Sequence, residues 1–388
     1  EGAGSPVEIN LASSDIVNMA VARLAGAPVI LVADIDPGGV FAQVVGTLAL
    51  LGEEDRKLVR GIVINKFRGD LSLLEPGLVM LEKLTGIPVL GVVPMLSGLA
   101  LPDEDGASLR GAPQSGFGRG PMHGPEPGPR IDIAVIKLPH IANFDDFDAI
   151  AAEPAVNLRF VEDPMLLGWP DALILPGTKS TLADLAWLKA SGFGDGIRWL
   201  SRIGTSVVGI CGGFQMLGER IDDPDGAEGK SGTMTGLGLL SAHTVFGSGK
   251  KVLPRSGRTA PNLGGSLASL AGIAIAGYEI HSGETKVEGP AFALLDADNK
   301  NAPPSSDGSW SADGRIWGSY LHGIFGSDEF RKAWLATFGV SARSERASAA
   351  LDRSIDALAD AVASSLDMKK LCSLIGLEDM IIPEQGEQ

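Results

Sequence analysis

Two series of short apolar runs, each followed by a segment of helical spacing, constrain this chain more than any other feature. In the first series residues 27–36 (APVILVADID) form a continuous apolar run. Residues 39–52 have helical spacing closed by a glycine, 58–67 are a second run, 73–86 a second helix and 87–94 a third run. Strands buried on both faces read as unbroken apolar runs. Strands alternating with helices of this length build βαβ units and a parallel sheet. Residues 106–130 break the pattern with 7 Gly and 5 Pro in 25 residues, a composition that cannot build a core and reads as an interdomain linker. A second series then begins, with strands expected over 130–139, 171–179 and 205–213 and helices over 181–192 and 195–204. Later strands over 236–246, 275–285 and 314–325 alternate more. Residues 247–270 and 297–313 read as polar surface loops, 328–339 and 345–366 as helices, and the last dozen residues as a loose acidic tail. The expectation is an α/β fold of two domains, over 1–105 and 131–340, joined by the 106–130 linker and followed by C-terminal helices and a tail over 341–388.

Composition narrows the function classes. The net charge of −16 argues against a nucleic-acid partner, which requires basic surface against phosphate. Two cysteines in 388 residues make no disulfide framework and fit a reducing compartment. No apolar run is long enough for a membrane span and no signal peptide is evident, so no membrane partner and a cytoplasmic location are expected. Nothing in the sequence fixes an oligomeric state.

Cys211 stands in GICGGFQMLG (209–218), between a β-branched apolar run and a segment of helical spacing. A nucleophile on a sharp strand-to-helix turn is an elbow of the kind known from serine hydrolases. Flanking glycines leave room for a strained backbone, the helix N-terminus favours thiolate, and the Gly212 N–H faces a developing oxyanion. A buried structural cysteine is the competing explanation, and the one preferred for Cys372 in the helical pattern MKKLCSLIG. A thiolate nucleophile needs a base. Of five histidines, His123 falls in the linker, His140 follows a proline and His243 lies in an alternating strand. His281 (GYEIHSG) and His322 (SYLHGIF) each sit at a strand end near glycine, where an α/β sheet presents side chains to a site. The PGTKST turn (176–181) follows an apolar strand and precedes a helix, so its backbone N–H groups can complete an oxyanion hole.

DALILPGTKST, GICGGFQMLG, GYEIHSGET and WGSYLHGIF, in that order, together with NFDDFDAI (143–150), resemble the glutaminase half of the cobyric acid synthase family, whose members carry a triad-type class I glutamine amidotransferase domain. The resemblance covers nearly all of residues 130–338. It implies Cys211 as nucleophile, His322 as its base, Gly177 and Gly212 as oxyanion donors, Gln215 near the substrate, and L-glutamine as ammonia source. In the wider class a glutamate two residues beyond the histidine orients it. Here that position is Ile324, so the orienting group is elsewhere or absent and no third member is assigned.

EGAGSPVEINL (1–11), VADIDPGGVFAQVVGT (32–47) and GIVINKFRGD (61–70) resemble the synthetase half of the same family, which is similar to dethiobiotin synthetase and other P-loop NTPase-like proteins. The resemblance implies ATP and Mg²⁺ as cosubstrates with no prosthetic group. It places Glu1 at metal and phosphate and Asn65 at the adenine edge, with a capping or turn residue the alternative for Asn65. Asp34 and Asp36 end an apolar strand, where carboxylates in such folds bind metal or substrate or are simply a solvated strand end. The family pattern DRGGVF reads DPGGVF here, and no GxxxxGK[ST] occurs in the chain. The expectations are an incomplete synthetase domain lacking an N-terminal segment, and a chain unable by itself to phosphorylate a substrate. For the full-length protein the resemblance implies amidation of the b, d, e and g carboxylates of adenosylcobyrinic acid a,c-diamide, a corrinoid, to adenosylcobyric acid in cobalamin biosynthesis. Cobyrinic acid a,c-diamide synthase and a noncatalytic P-loop-like scaffold are the alternatives.

Overall fold

The computed structural model describes residues 5–10, 16–96, 99, 130–229, 231–296, 303–342 and 347–377. The expected linker, except Arg130, and most of the acidic tail lie outside the described residues, as do Glu1 and His123. The chain divides into two compact units, Glu1–Leu101 with Leu351–Gln388, and Pro102–Ala350.

The first unit carries α1 (Asn18–Ala25), β1 (Val29–Asp34), α2 (Val40–Leu50), α3 (Glu53–Leu58), β2 (Val59–Phe67), α4 (Leu71–Thr85) and β3 (Val89–Pro94). Its sheet is parallel in the order β1-β2-β3. Ile62 and Ile64 of β2 are fully buried between neighbours, as a central parallel strand requires. Val40, Val44 and Leu48 recur every four residues along α2 and are buried against the sheet.

The second unit opens with β4 (Ile131–Ile136), α5 (Asp148–Ala151), β5 (Val156–Val161), β6 (Ala172–Leu175), α6 (Thr181–Ser191), α7 (Phe193–Ile203), β7 (Ser206–Ile210) and α8 (Gly212–Leu217). Next come β8 (Arg220–Asp223), β9 (Gly232–Thr235), β10 (Ala242–Thr259), β11 (Ala274–Val287), β12 (Ala293–Leu295) and β13 (Ser305–Asp307). The series closes with β14 (Ser309–Trp310), β15 (Ile316–Ser319), β16 (Leu321–His322) and α9 (Asp328–Ala336). A six-stranded sheet runs β14-β15-β7-β6-β4-β5, parallel except at β14. Every residue of β6 and β7 is buried, which accounts for their unbroken apolar sequences. A second sheet orders β13-β12-β10-β11-β16, with β8 and β9 attached.

Two expected loops are corrected. Residues 247–259 continue β10, which pairs antiparallel with β11 on both sides of an irregularity between Val245 and Lys250. Residues 305–310 form β13 and β14. Both stretches are polar and glycine-containing, so they read as loops until sheet pairing supplies partners for their backbone groups.

Two C-terminal helices, α10 (Ala347–Ser365) and α11 (Met368–Leu374), close the chain. Leu366, Leu371 and Leu374 pack on Val63, Leu90 and Val93, adding a small core to the first unit's sheet. Cys372 lies in α11, half-buried.

Candidate active site

The site is built at the carboxyl end of β7. There the chain turns at once into α8, and Cys211 takes the turn at φ 51°, ψ −110°. That conformation is unfavourable for a residue with a Cβ and costs about 1–3 kcal/mol, so the surrounding packing must hold it. It is held: the Cys211 N–H donates to Ser319 O at 2.8 Å and the residue is only 7% exposed. Its Sγ lies 3.3 Å from Ile280 O, and it is one of the two groups that raise His322.

His322 ends β16 and is nearly completely buried. Its Nδ1 lies 2.6 Å from Asp146 Oδ2, while Asp146 Oδ1 accepts the Gly323 N–H at 2.7 Å. Asp146 therefore fixes both the ring and the backbone beside it, and supplies the orienting carboxylate that residue 324 lacks. Burial works against a charged ring, but Asp146 and Cys211 outweigh it and His322 is pushed up to about 10. Tyr278 stacks on the imidazole with ring centres 5.2 Å apart, and its hydroxyl accepts from Asn143 Nδ2 at 2.5 Å. Burial and the nearby Asp146 push Tyr278 up to about 12.

Gly177 lies in the turn after β6, its carbonyl accepting from Ala142 N at 2.9 Å. A Cβ there would stand 2.8 Å from His322 Cε1, so only glycine lets this turn lie against the ring. Gly212 opens α8, whose N-cap makes no side-chain bond to the first-turn N–H groups. A Cβ on Gly212 would stand 2.7 Å from Thr178 Cγ2, so the two turns meet directly beside the sulfur.

Gln215, one turn into α8, is 2% exposed. Its Nε2 donates to Ser282 O at 3.1 Å and Tyr320 Oη at 3.0 Å, and its Oε1 accepts from Thr181 Oγ1 at 3.2 Å. It ties α8 to β11 from the floor of a cavity of about 390 Å³, which also exposes Cys211, His322, Asn143, Lys179 and Glu228. That volume suits a small metabolite. A thiol, a buried imidazolium, an orienting carboxylate and two glycine turns around one sulfur form the constellation for nucleophilic attack on an amide carbonyl.

The structure thus brings Cys211, His322, Gly177, Gly212 and Gln215 together. His281 lines the same cavity, but its Nδ1 faces Gly283 O at 3.0 Å and its ring stacks on Tyr320. His243 pairs with Asp222 and His140 with Asp184. Sequence reasoning missed Asp146, Asn143 and Tyr278. All three lie in stretches that carry the family resemblance, NFDDFDAI and GYEIHSGET, but nothing in the sequence assigned them a role.

In the first unit Asp34 and Asn65 are register partners at the carboxyl ends of β1 and β2, the edge where α/β sheets take ligands. Asp34 is held below its usual range chiefly by Lys66, whose Nζ is 2.7 Å away; Asn65 Oδ1 accepts the Lys66 N–H at 2.8 Å. This mixed polar set fits a nucleotide better than a metal. The carboxylate already has its cation, and among the described residues no three His, Cys, Asp or Glu converge as metal donors. No helix among the described residues is long and apolar enough to cross a membrane.

Residues 132–330 match the CobB/CobQ-like glutamine amidotransferase domain family, and residues 1–103 match an AAA domain family. The cobyric acid synthase of Moorella thermoacetica is 46% identical over 98% of this chain and 73% of its own length. That of Pelotomaculum thermopropionicum is 44% identical over 100% of this chain and 74% of its own length. Among solved structures, PurLQS from Thermotoga maritima matches 54% of this chain and 99% of that chain at 15% identity, with a TM-score of 0.41.

Proposed function

Because the chain belongs to the cobyric acid synthase family, we propose that it releases ammonia from glutamine at Cys211 and serves the amidation of a corrinoid in cobalamin biosynthesis. The observation that carries the reading is the Cys211–His322–Asp146 constellation within the amidotransferase domain.

The Cys211 thiolate attacks the side-chain amide carbon of glutamine. The negative charge that develops on oxygen is met by the N–H groups of Gly177 and Gly212. His322, protonated in the resting site, gives its proton to the amide nitrogen, so the C–N bond breaks and ammonia leaves a glutamyl thioester. Neutral His322 then takes a proton from water as the water attacks the thioester, and glutamate departs with the sulfur restored. Asp146 holds the imidazole in the tautomer that presents Nε2 to the sulfur. Gln215 braces α8 against β11 and keeps the cavity floor in place.

The acceptor is proposed to be adenosylcobyrinic acid a,c-diamide, amidated at its b, d, e and g carboxylates. ATP supplies the activation of each carboxylate when bound. Asp34 and Asn65 are the residues of this chain proposed to face the nucleotide.

The test is glutamine hydrolysis by the whole chain beside Cys211→Ala, then a product assay with glutamine, ATP and the a,c-diamide in the presence of a synthetase segment carrying the P-loop that this sequence does not contain. Cysteine-dependent glutamate release and a hexaamide product support the proposal. A chain that converts cobyrinic acid only as far as the a,c-diamide would move it to the a,c-diamide synthases.

A further inference from the structure

We propose that Asp184 is a positioning residue for the oxyanion-binding turn, a role resting on the glutaminase reading above. Asp184 sits in the first turn of α6, and its side chain is fully buried. It touches neither the sulfur nor the imidazole, yet it accepts from both backbone segments that flank them. Its Oδ2 accepts from the Thr178 hydroxyl at 2.5 Å and from His140 N at 3.3 Å, and its Oδ1 faces His140 Nδ1 at 2.7 Å. The two segments are zipped to each other by Ala142 N to Gly177 O at 2.9 Å and Lys179 N to His140 O at 3.0 Å. Thr178 Oγ1 also accepts from Ser180 N at 3.1 Å and lies 3.1 Å from His140 O, so the hydroxyl is held from three sides.

A buried carboxylate carries a large desolvation penalty unless hydrogen bonds satisfy it, and here each bond goes to the 140–142 or 177–180 stretch. Thr178 follows Gly177 and packs against Gly212, the two proposed oxyanion donors. The 140–142 stretch leads into Asn143 and Asp146. One carboxylate therefore sets where the Gly177 N–H points and ties that turn to the segment bearing the orienting acid. Displacing a donor by about 1 Å is enough to lose on the order of 100-fold in rate.

The experiment compares wild type, Asp184→Asn, Thr178→Val and Thr178→Ser in the whole chain. Asp184→Asn replaces one acceptor by a donor, Thr178→Val deletes the hydroxyl at nearly constant shape, and Thr178→Ser restores it. Three rates are measured: glutamine hydrolysis, alkylation of Cys211 by a glutamine-like chloromethyl ketone, and alkylation by iodoacetamide. Each alkylation forms a C–S bond and expels halide, but only the ketone passes through an oxyanion. Asp184→Asn and Thr178→Val should each lose about 10- to 100-fold in hydrolysis and in the ketone reaction. Iodoacetamide should react within about twofold of wild type, the KM for glutamine should stay within about threefold, and Thr178→Ser should stay close to wild type. Wild-type rates in Asp184→Asn and Thr178→Val, or a parallel fall in both alkylations, would overturn the assignment. A wild-type chain that neither hydrolyses glutamine nor favours the ketone would instead sink the glutaminase reading itself.

Discussion

At the scale of single residues, burial and a few close neighbours set the ionisation of the groups that matter most. Asp146→Asn leaves the ring of His322 in place but removes the charge that raises its pKa. Glutamine turnover should fall by about 10³- to 10⁴-fold. The imidazolium should also be lost at lower pH than the value of about 10 it has now, which the pH dependence of Cys211 alkylation reads directly. The sign for stability follows. A histidine raised above its ordinary value near 6.5 contributes fully below that pH, and the contribution is lost as pH rises through about 10. Asp307 is a second case. Its carboxyl is buried beneath β15 and β16; burial pushes it up to about 6 although it accepts from the Ser319 hydroxyl and the Tyr320 N–H. The folded state therefore holds that proton more tightly than the unfolded chain. The associated stability is present below about pH 4 and lost as pH rises through about 6, with up to about 3 kcal/mol at stake. Asp307→Asn should flatten that part of the profile, so that unfolding free energies at pH 5 and pH 7 lie closer together than in wild type.

At the scale of elements the important geometry is how strand ends and short turns are pinned. Arg331 of α9 donates Nε to Glu153 Oε1 at 2.9 Å and Nη1 to Phe325 O at 2.9 Å, both within the interior. Glu153 follows the segment bearing Asp146, and Phe325 follows His322, so α9 clasps two parts of the constellation from behind. Arg331→Met strands a buried carboxylate and should destabilise the second unit by about 3–5 kcal/mol in urea unfolding. Adding Glu153→Leu should restore a good part of the loss, because the uncompensated charge goes with it. The same scale explains what can be read from the sequence. Strands β2, β4, β6 and β7 are legible because parallel strands buried on both faces need continuous apolar runs; β1 and β3 carry such runs too, although most of their residues are only half-buried. Cys211 and His322 are legible because each stands at a strand end among glycines. Asp146 is not, because its partner is 176 positions away and no local spacing records the contact. The extension of β10 is illegible for a similar reason: polar residues with glycine become strand only through pairing with β11.

At the scale of the whole molecule the first unit is completed by the end of the chain. Leu90 of β3 is 2% exposed and packs with Leu366, Leu371 and Leu374 from the C-terminal segment. Leu90→Ala should destabilise that unit by about 2–5 kcal/mol. A calorimetric scan should show its transition moved down while that of the amidotransferase unit stays in place, since the two have separate cores. If both transitions shift together, the units are not independent folding bodies. The separation along the sequence of Asp146, Cys211 and His322 has another outcome, one of timing during synthesis. The orienting acid emerges from the ribosome first, the sulfur next and the base last. Until β16 is made and seated, Cys211 has no imidazole beside it. The proposed nucleophile and its proposed base therefore come together only when the amidotransferase fold is nearly complete.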